Sequence, residues 1–576
     1  MSKYDTYRSP DAPVPAQTKA WNMYGPGLEN IGRDDQPEVF EVPEPGDDQL
    51  LVRIDAVSLC FSDVKLIQQG SKHPKLYNRD LRAEPTRLGH ETALTVMKVG
   101  RNLQDRYYAG QRLAIQPDIY QNGVATAYGY TIPGGLIQYH LIGSEVLNAD
   151  AGAYVLPIGE KLGYAEAALT EPWACVEGAY RQRRRLEPKA GGSLWIVGRP
   201  GDETAYAWSS GISAATIVLT DVNSSVRELV QQSHATVIER NNVAPGEYAR
   251  LSQDLTDGGG FDDIVILDPR SAEAITEAAK LIAFRGTLNL VGREPLDGLP
   301  QIDVGRIHYH YTAYYGNSGP DIAASYGEAH NRSDLRPGGV TVFVGAGGPM
   351  GQMHIQRSIE MADGPALLIA TDVNDERLEV LQQQFGLLAE ERGKRFVLIN
   401  PTKSERTLHE LVRDLSDGRG ADDVIVSVPV PAVMADAATL MAPDGMLVLF
   451  AGVPNGSLAP LNISDVYLHN AQFTGTSGSS LNDQEAVIRK AEAHELTPNR
   501  SVAAVGGIEA ARNGIQAMME GRYPGKIVIF PQISGLPLTG LDELAEKQPD
   551  VATALDPGNM WTPEAEQRLI EKFWQP

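Results

Sequence analysis

The sequence predicts an α/β protein in which a mostly β region precedes two consecutive doubly wound parallel sheets. Short apolar or alternating runs bounded by Gly, Pro and Asp fill residues 18–150 and are typical of strands. From about residue 187, apolar strands alternate with helix-like stretches, which favours parallel sheets built from βαβ units. This rhythm runs twice, to about residue 320 and again from about 337 to 476. The Arg332–Gly339 segment joins the two copies.

The two α/β regions share landmarks that indicate an internal duplication. Gly191–Asp221 and Gly338–Asp372 each read as a short strand, a glycine turn, a helix-like stretch and a second strand ending in Thr-Asp. Three further landmarks recur downstream in the same order: Gly260–Asp263 with Gly420–Asp423, Gly286 with Gly445, and Tyr314–Gly319 with Phe473–Gly478. This succession predicts two copies of a Rossmann-type nucleotide-binding unit.

Length, charge and cysteine content exclude several classes of protein. A chain of 576 residues has room for about three or four domains. Its net charge of −24 argues against a nucleic-acid partner, because a protein that binds nucleic acid needs clustered Lys and Arg. We interpret the negative charge as a feature that favours solubility. The N-terminus has no apolar core typical of a signal peptide, and no apolar run is long enough to span a membrane. Two cysteines make no disulfide framework, so we expect a cytoplasmic protein.

Three short motifs before the first copy bring together residue types that bind zinc. They are Cys60-Phe61-Ser62-Asp63 after a strand, Gly89-His90-Glu91 before a strand, and Glu171 in a helical stretch. Cys, His and carboxylate are zinc ligands, and a catalytic zinc keeps one position open. Ser62 offers a hydroxyl that can carry a proton between substrate and solvent. Each motif alone is weak, and their order before a dinucleotide fold is what favours a metal site.

The second copy retains a dinucleotide-binding turn. Its glycine-rich segment supplies the candidate cofactor-binding residues Gly345, Gly347, Gly348, Met350 and Gly351. Glycines let the backbone approach the pyrophosphate, which then lies at a helix N-terminus. Asp372 follows at the end of the second strand, where a carboxylate binds the ribose hydroxyls and disfavours a 2′-phosphate. The sequence therefore favours NAD slightly over NADP, although Arg377 lies close enough to compensate.

The first copy lacks this turn. Gly198 and Gly201 remain, but Asp202 and Glu203 stand where the pyrophosphate would lie and would repel it. Arg199 offsets part of that repulsion, and the strand-end acid Asp221 is kept. Two interpretations stay open, a degenerate copy used for packing or assembly and a site for a second nucleotide or effector.

The order of these motifs resembles the zinc-dependent medium-chain dehydrogenase/reductase superfamily, as does the closing GKIVIF strand. Within it, the sequence is most similar to polyol and sugar-phosphate dehydrogenases of the L-sorbose-1-phosphate reductase type. The segments that carry this narrower resemblance are Ser58–Gly70, Tyr164–Tyr180, Thr371–Leu378, Val428–Gly445 and Phe473–Gly478. The resemblance covers about residues 20–182 and 337–531 and implies a GroES-like β-rich catalytic domain beside the Rossmann domains.

The resemblance also implies roles for individual residues. Cys60 and His90 would bind a catalytic zinc, and Glu91 would be a permanent or an exchanging ligand. Glu171 would be a further ligand or would hold a water beside the metal. Ser62 would begin a proton relay, and Glu91 belongs with it to the candidate catalytic residues.

The same resemblance excludes a second metal site. The structural zinc of many relatives needs four closely spaced cysteines, which this chain lacks, so one zinc per chain is expected. Cys175 matches no usual ligand position and is interpreted as a core residue. The expected division is 1–182 (catalytic domain), 183–330 (degenerate inserted copy), 331–476 (NAD(P)-binding copy), 477–531 (return to the catalytic domain) and 532–576 (a tail).

The implied activity is hydride transfer between NAD(P) and a polyol, sugar or sugar phosphate, in a homo-oligomer (dimer or tetramer). For a phosphorylated substrate, the candidate cations in the right region of the chain are Lys65, Lys72, Lys75 and Arg87. Two alternatives remain. One is a nucleotide-responsive assembly or regulatory protein that has lost catalysis. The other is a zinc-free enone or quinone reductase, which would have no use for Cys60 and His90.

Overall fold

The computed structural model describes residues 2–476 and 478–576, which form two compact units. One unit contains Met1–Gly178, Gly348–Met353 and Gly478–Pro576, and the other contains Ala179–Gly347 and His354–Ser477. Within the described residues, no helix is both long and apolar enough to cross a membrane.

The first unit is built on a mostly antiparallel sheet. Its strands, in spatial order, are Val155–Pro157, Arg112–Ile115, Glu91–Val99, Leu50–Ser58, Lys526–Phe530, Val502–Gly507 and Thr539–Gly540, and Tyr139–Ile142 pairs with Leu50–Ser58. Three small pairs accompany it: Gln17–Ala20 with Glu38–Glu41, Asn22–Met23 with Thr86–Arg87, and Tyr120–Gln121 with Val124–Ala125. The α-helices are Lys3–Arg8, Phe61–Gln69, Ser144–Leu147, Tyr164–Ala179, Leu481–Glu492, Ala511–Met519, Leu544–Lys547, Pro549–Ala552 and Pro563–Phe573.

Three neighbouring strands of this sheet end close to one another. Ser58, the last residue of its strand, pairs with Glu91, the first residue of the next, and on its other side with Val528. Every residue of the Leu50–Ser58 strand is buried, so its position is fixed by packing on both faces. The motifs after residue 58 and before residue 91 therefore meet at one edge of the sheet.

The C-terminal tail packs against its own chain. In the Pro563–Phe573 helix, the buried Glu566 carboxylate accepts hydrogen bonds from the backbone N–H groups of Tyr164 (2.6 Å) and Ala165 (2.8 Å). These amides open the Tyr164–Ala179 helix, where an acceptor satisfies donors that the helix leaves unpaired. The tail thus caps the helix that carries Glu171.

Glu566 predicts a pH-dependent stability. Burial raises its pKa from 4.5 to about 7, so between these values the folded state binds more protons and loses stability as pH rises. We expect the free-energy difference between wild type and Glu566→Gln in urea unfolding to fall by roughly 2–3 kcal/mol from pH 4.5 to 7. Glu564→Gln, on an exposed face of the same helix, is the matched control. A difference that grows as pH rises would contradict this account.

The second unit contains two six-stranded parallel sheets with the same strand order. The first runs Thr236–Glu239, Thr216–Thr220, Ser193–Val197, Phe261–Leu267, Ile282–Val291 and Ala313–Asn317. The second runs Arg395–Ile399, Leu367–Thr371, Val340–Val344, Ala421–Val426, Met441–Leu449 and Gln472–Gly475. The α-helices are Ser224–Gln231, Tyr248–Thr256, Ala272–Ala279 and Val304–Tyr309 in the first copy, and Pro349–Glu360, Asp375–Glu391, Leu408–Leu415, Pro431–Ala438 and Ser464–Leu468 in the second. The predicted class of two doubly wound sheets beside a β-rich domain is confirmed.

The Asp-Asp landmark recurs because it performs the same task in both copies. Asp263 Oδ2 accepts a hydrogen bond from the Lys189 backbone N–H (2.8 Å), and Asp423 Oδ2 accepts one from the Arg336 N–H (2.8 Å). Each carboxylate thereby fixes the loop that enters the first strand of its own copy.

The two copies pack through reciprocal contacts. Gln301–Asp303 pairs antiparallel with Leu458–Pro460, and one hydrophobic core contains residues from both sheets. The Val304–Tyr309 helix of the first copy packs on the last strand of the second copy, and Ser464–Leu468 packs on the last strand of the first. Such isologous contacts define a pseudo-two-fold relation within one chain.

The prediction of a helix between the first two strands of the first copy is wrong. No helix forms between Val197 and Thr216, whereas the second copy has Pro349–Glu360 at the equivalent place. The reason is local, since the segment holds Pro200, Gly201 and Gly211, which favour turns over helix.

Candidate active site

Three predicted zinc ligands lie together at the sheet edge. One ligand atom from each of Cys60, His90 and Glu91 lies within 4.8 Å of the others, and among the described residues this is the group that could hold a metal. Cys60 precedes the Phe61–Gln69 helix and is partly exposed, while the other two side chains are buried. The donor set of one sulfur, one nitrogen and one oxygen suits zinc.

Asp63 orients both the cysteine and the histidine. Its Oδ2 accepts a hydrogen bond from the Cys60 backbone N–H (3.0 Å), and its Oδ1 lies 3.3 Å from His90 Nδ1. His90 Nε2 therefore points the other way, where it lies 3.2 Å from Ser62 Oγ. A carboxylate behind a metal-binding histidine fixes the ring in the same manner in many metal sites. Burial is the largest single effect and lowers the pKa of His90, but Asp63, Tyr130 and Cys60 together outweigh it and hold the pKa well above its usual value.

Glu91 is held by a buried lysine from the C-terminal part of the chain. Lys526 Nζ donates to Glu91 Oε1 (2.5 Å) and to the Leu59 carbonyl (3.1 Å). Burial disfavours the lysine charge, yet Glu91 and Cys60 raise its pKa overall. Glu91 Oε2 is buried and has no hydrogen-bond partner among the described residues, so one carboxylate oxygen remains available to a metal.

Glu171 lies near this group without belonging to it. It is not among the side chains whose ligand atoms lie within 4.8 Å of one another. Burial raises the pKa of Glu171 to about 7; the charge of His90 opposes this rise and that of Glu91 adds to it. Its Oε1 accepts a weak hydrogen bond from Cys175 Sγ (3.8 Å), so Cys175 supports Glu171.

A positive region adjoins the metal ligands. The Tyr130 ring lies 5.7 Å from the His90 ring and 5.2 Å from the His73 ring. Lys75 Nζ lies 4.8 Å above Tyr130 and forms an ion pair with Asp118 (2.9 Å). Burial lowers the pKa of His73 to about 4, and the charges of Lys75 and Lys65 add to that effect.

The other two candidate cations have different surroundings. Lys72 is exposed. Arg87 donates to the Gly134 carbonyl and the Asn22 side chain, and it lines a cavity to which none of Cys60, Ser62, His90 or Glu91 contributes.

The glycine turn of the second copy has the predicted shape. Asp372 Oδ2 accepts a hydrogen bond from the Gly347 N–H (3.0 Å), which ties the turn to the end of the second strand. Gly345 has a φ of +75°, and a Cβ there would lie 2.3 Å from Val428 Cγ2. A Cβ at Gly348 would meet no atom within 4 Å, so open space lies beside the start of the Pro349–Glu360 helix. Met350 and Gly351 lie in the first turn of this helix.

The equivalent turn of the first copy is filled by its own side chains. Asp202 accepts hydrogen bonds from Tyr206 Oη (2.7 Å) and from the Thr204 side chain (2.7 Å). Arg199 forms its ion pair with Asp268, and its charge makes only a minor contribution to lowering the pKa of Asp202. Without a helix N-terminus, this turn offers a diphosphate no aligned amides.

Two site residues carry no strong sequence signal. Asp63 is visible only as the third helical residue after Cys60, where a carboxylate commonly closes a helix start. Lys526 lies 435 residues from Glu91, and only its position at the start of the buried GKIVIF strand sets it apart.

Family models match both halves of this arrangement. Residues 46–178 match the alcohol dehydrogenase GroES-like domain, and residues 349–493 match the zinc-binding dehydrogenase domain. The chain therefore carries the two domains of a zinc-binding alcohol dehydrogenase and is an oxidoreductase of that type.

Two curated relatives extend over nearly the whole chain. A mannitol-1-phosphate 5-dehydrogenase of Aliivibrio fischeri is 24% identical, covering 94% of this chain and 96% of the relative. An L-sorbose 1-phosphate reductase of Klebsiella pneumoniae is 23% identical, covering 96% and 97%. Among solved structures, the 2R,3R-butanediol dehydrogenase from Bacillus subtilis shares the fold, with a TM-score of 0.51 and 15% identity over 89% of this chain and 99% of that one.

Proposed function

We propose that the protein interconverts a hydroxyl and a carbonyl group on a polyol, ketose or sugar phosphate with one zinc and one nicotinamide dinucleotide per chain. The observation that carries the proposal is the Cys60, His90 and Glu91 cluster with its unpartnered Glu91 oxygen. Five parts, 1–182, 183–330, 331–476, 477–531 and 532–576, remain our proposed domain division.

Each residue of the cluster has a distinct task. When bound, zinc polarises the substrate oxygen and the nicotinamide gives or takes the hydride. The metal would be held by Cys60, His90 Nε2 and Glu91 Oε2. Asp63 would fix the first two of these residues and Lys526 the third. A metal bound to His90 Nε2 would replace the contact of that nitrogen with Ser62 Oγ. The Ser62 hydroxyl would then be able to pass the substrate proton towards solvent.

Glu171 has the second of its two predicted roles in this proposal. Since it lies outside the three-residue cluster, we assign it to hold a water beside the metal rather than to bind the metal permanently. Its raised pKa leaves it able to accept or donate a proton near neutral pH.

The positive region beside Tyr130 favours a phosphorylated substrate. Lys65 is exposed and close enough to act on His73, so it is free to bind a phosphate, whereas Lys75 is already paired with Asp118. The two full-length relatives named for sugar phosphates support the same class. A single exposed ion pair contributes about 1 kcal/mol or slightly more.

Lys65→Ala is therefore expected to raise KM for a ketose or polyol phosphate about five- to tenfold while leaving KM for the unphosphorylated sugar unchanged. Steady-state kinetics on both substrates measures this, with Lys72→Ala as the matched control. Equal effects on both substrates would contradict a phosphate-binding role.

We propose NAD as the preferred cofactor, because the buried Asp372 carboxylate occupies the end of the second strand. Arg377 is exposed beside the turn and limits the preference to a modest one. The dissociation constant for NADH should be lower than that for NADPH in a fluorescence titration. Tighter binding of NADPH would reverse this assignment.

The first copy is proposed to act in packing rather than nucleotide binding. Its phosphate turn is filled, and its last strand and the Val304–Tyr309 helix are engaged with the second copy. A homo-oligomer of two or four chains remains part of the proposal, through surfaces other than these. Light scattering at micromolar concentration tests it, and a monomer would refute it.

The cytoplasmic location is also retained as a proposal. Both cysteines are free, and Cys60 must stay reduced to bind a metal. Cell fractionation tests the location.

The whole functional proposal is tested by NADH oxidation with a panel of ketoses and ketose phosphates, before and after removal of zinc by a chelator; activity that survives metal removal would refute it.

A further inference from the structure

The first unit contains a pocket that none of the three candidate metal ligands lines. Its volume is about 400 Å³, within the range of small-molecule sites. Apolar side chains form most of the wall, among them Pro133, Ile132, Leu141 and Val146. Arg87, Tyr128 and His140 supply its polar side.

Arg87 is the unusual member of this pocket. Its Nε donates to the Gly134 carbonyl (3.2 Å) and its Nη1 to Asn22 Oδ1 (3.3 Å). Among the described residues it forms no ion pair, and burial lowers its pKa with no carboxylate to oppose the effect. A largely buried guanidinium is normally paired with an anion, because its charge is costly to desolvate alone.

The remaining donors of Arg87 are open to a ligand. Arg87 has no nitrogen that is both fully buried and without a hydrogen-bond partner, so its unpaired N–H groups are accessible, and the residue lines the pocket. Tyr128, Thr131 and His140 add no charge there, whereas Glu145 adds a negative one. A hydrogen bond joins Tyr128 Oη and His140 Nε2 (2.9 Å), and burial lowers the pKa of His140 to about 3, which keeps the imidazole neutral.

The charge balance of the pocket selects a monoanion. Arg87 gives one positive charge and Glu145 one negative charge; the Glu145 carboxylate accepts a hydrogen bond from the Gly143 N–H (2.8 Å) and does not pair with Arg87. A second negative charge on the ligand would meet only the Glu145 carboxylate. A planar carboxylate matches the fork of a guanidinium, and the apolar wall matches a short hydrocarbon body.

We propose that this pocket binds a small organic monocarboxylate with an apolar body, held by Arg87 and separate from the catalytic centre. The proposal does not depend on the substrate assigned above. Because the Gly134–Gly135 segment accepts from Arg87 and also contacts Gly89, which precedes His90, a bound ligand would stiffen the loop behind the metal ligand.

Benzoate is the probe, and benzamide is its neutral counterpart of the same shape. Calorimetry on the zinc-loaded protein should show saturable benzoate binding at one site per chain and no binding of benzamide. Arg87→Met should weaken benzoate binding at least about tenfold. Ile132→Trp, which fills the pocket and keeps Arg87, should weaken it similarly, and Arg101→Met, an exposed arginine, should not.

Cys60→Ser separates this pocket from the metal site. Benzoate binding that persists in that variant supports the proposal, and binding lost there places the anion at the metal and overturns it. Absence of saturable binding in wild type, or binding that survives both Arg87→Met and Ile132→Trp, also overturns it. If Arg87→Met fails to fold, Ile132→Trp and Cys60→Ser decide the question.

Discussion

Cys60→Ser is expected to leave the protein folded, free of zinc and at least about a thousandfold lower in kcat/KM. Cys60 is partly exposed at the start of a helix, and its backbone N–H, rather than its sulfur, makes the hydrogen bond to Asp63. The substitution therefore removes a metal ligand without removing the contacts that hold the loop. Loss of the Lewis acid removes several kcal/mol of transition-state stabilisation, and about 1.4 kcal/mol corresponds to a tenfold rate change.

The measurements are zinc per chain and kcat/KM with the best substrate. Cys175→Ser is the matched control, because Cys175 contacts Glu171 but is not in the metal cluster. We expect that variant to keep its zinc. Full activity in a zinc-free Cys60→Ser enzyme would exclude the proposed chemistry and favour a zinc-free reductase.

Gly348→Asp should abolish dinucleotide binding while leaving zinc content and unfolding unchanged. A Cβ at Gly348 meets no protein atom within 4 Å, so the side chain enters open space beside a helix N-terminus. A carboxylate there would occupy the place of the pyrophosphate and repel it. We expect at least a hundredfold increase in the dissociation constant, about 3 kcal/mol.

Gly246→Asp provides the comparison for this change. Gly246 lies in the first copy, and a Cβ there also meets nothing within 4 Å, so the same substitution is made in open space away from the turn. NADH binding should be unaffected. If Gly348→Asp binds NADH normally, the cofactor lies elsewhere, and the first copy becomes the next place to search.

Much of the architecture was accessible from the sequence because local signals encode it. Glycine turns, strand-end acids and the Asp-Asp landmark recur in both copies, and the structure shows that Asp263 and Asp423 make equivalent hydrogen bonds. The candidate metal ligands come together for a different reason. Cys60 and His90 flank two adjacent strands, so strand pairing alone brings them to one edge.

The remaining features depend on contacts between distant parts of the chain. Lys526 reaches Glu91 across 435 residues, and Glu566 reaches Tyr164 across 402. No short-range pattern marks such pairs, since each depends on how a late strand or helix packs against an early one. The missing helix of the first copy has a local cause instead, because Pro200 and Gly201 favour a turn.

The internal pairing of the two copies gives the duplication a physical purpose. One strand of each copy pairs with its counterpart in the other copy, Gln301–Asp303 with Leu458–Pro460. Hydrophobic residues of both sheets also belong to one core. In our proposal, the first copy contributes by the apolar surface that it buries against the second copy. The filled turn around Asp202 fits that interpretation.

The central claim is that one zinc held by Cys60, His90 and Glu91 supports the reaction. Elemental analysis of the purified protein tests it most directly. The account predicts one zinc per chain in wild type and none in Cys60→Ser. A folded wild-type protein that contains no zinc, and takes up none when zinc is supplied under reducing conditions, would contradict it.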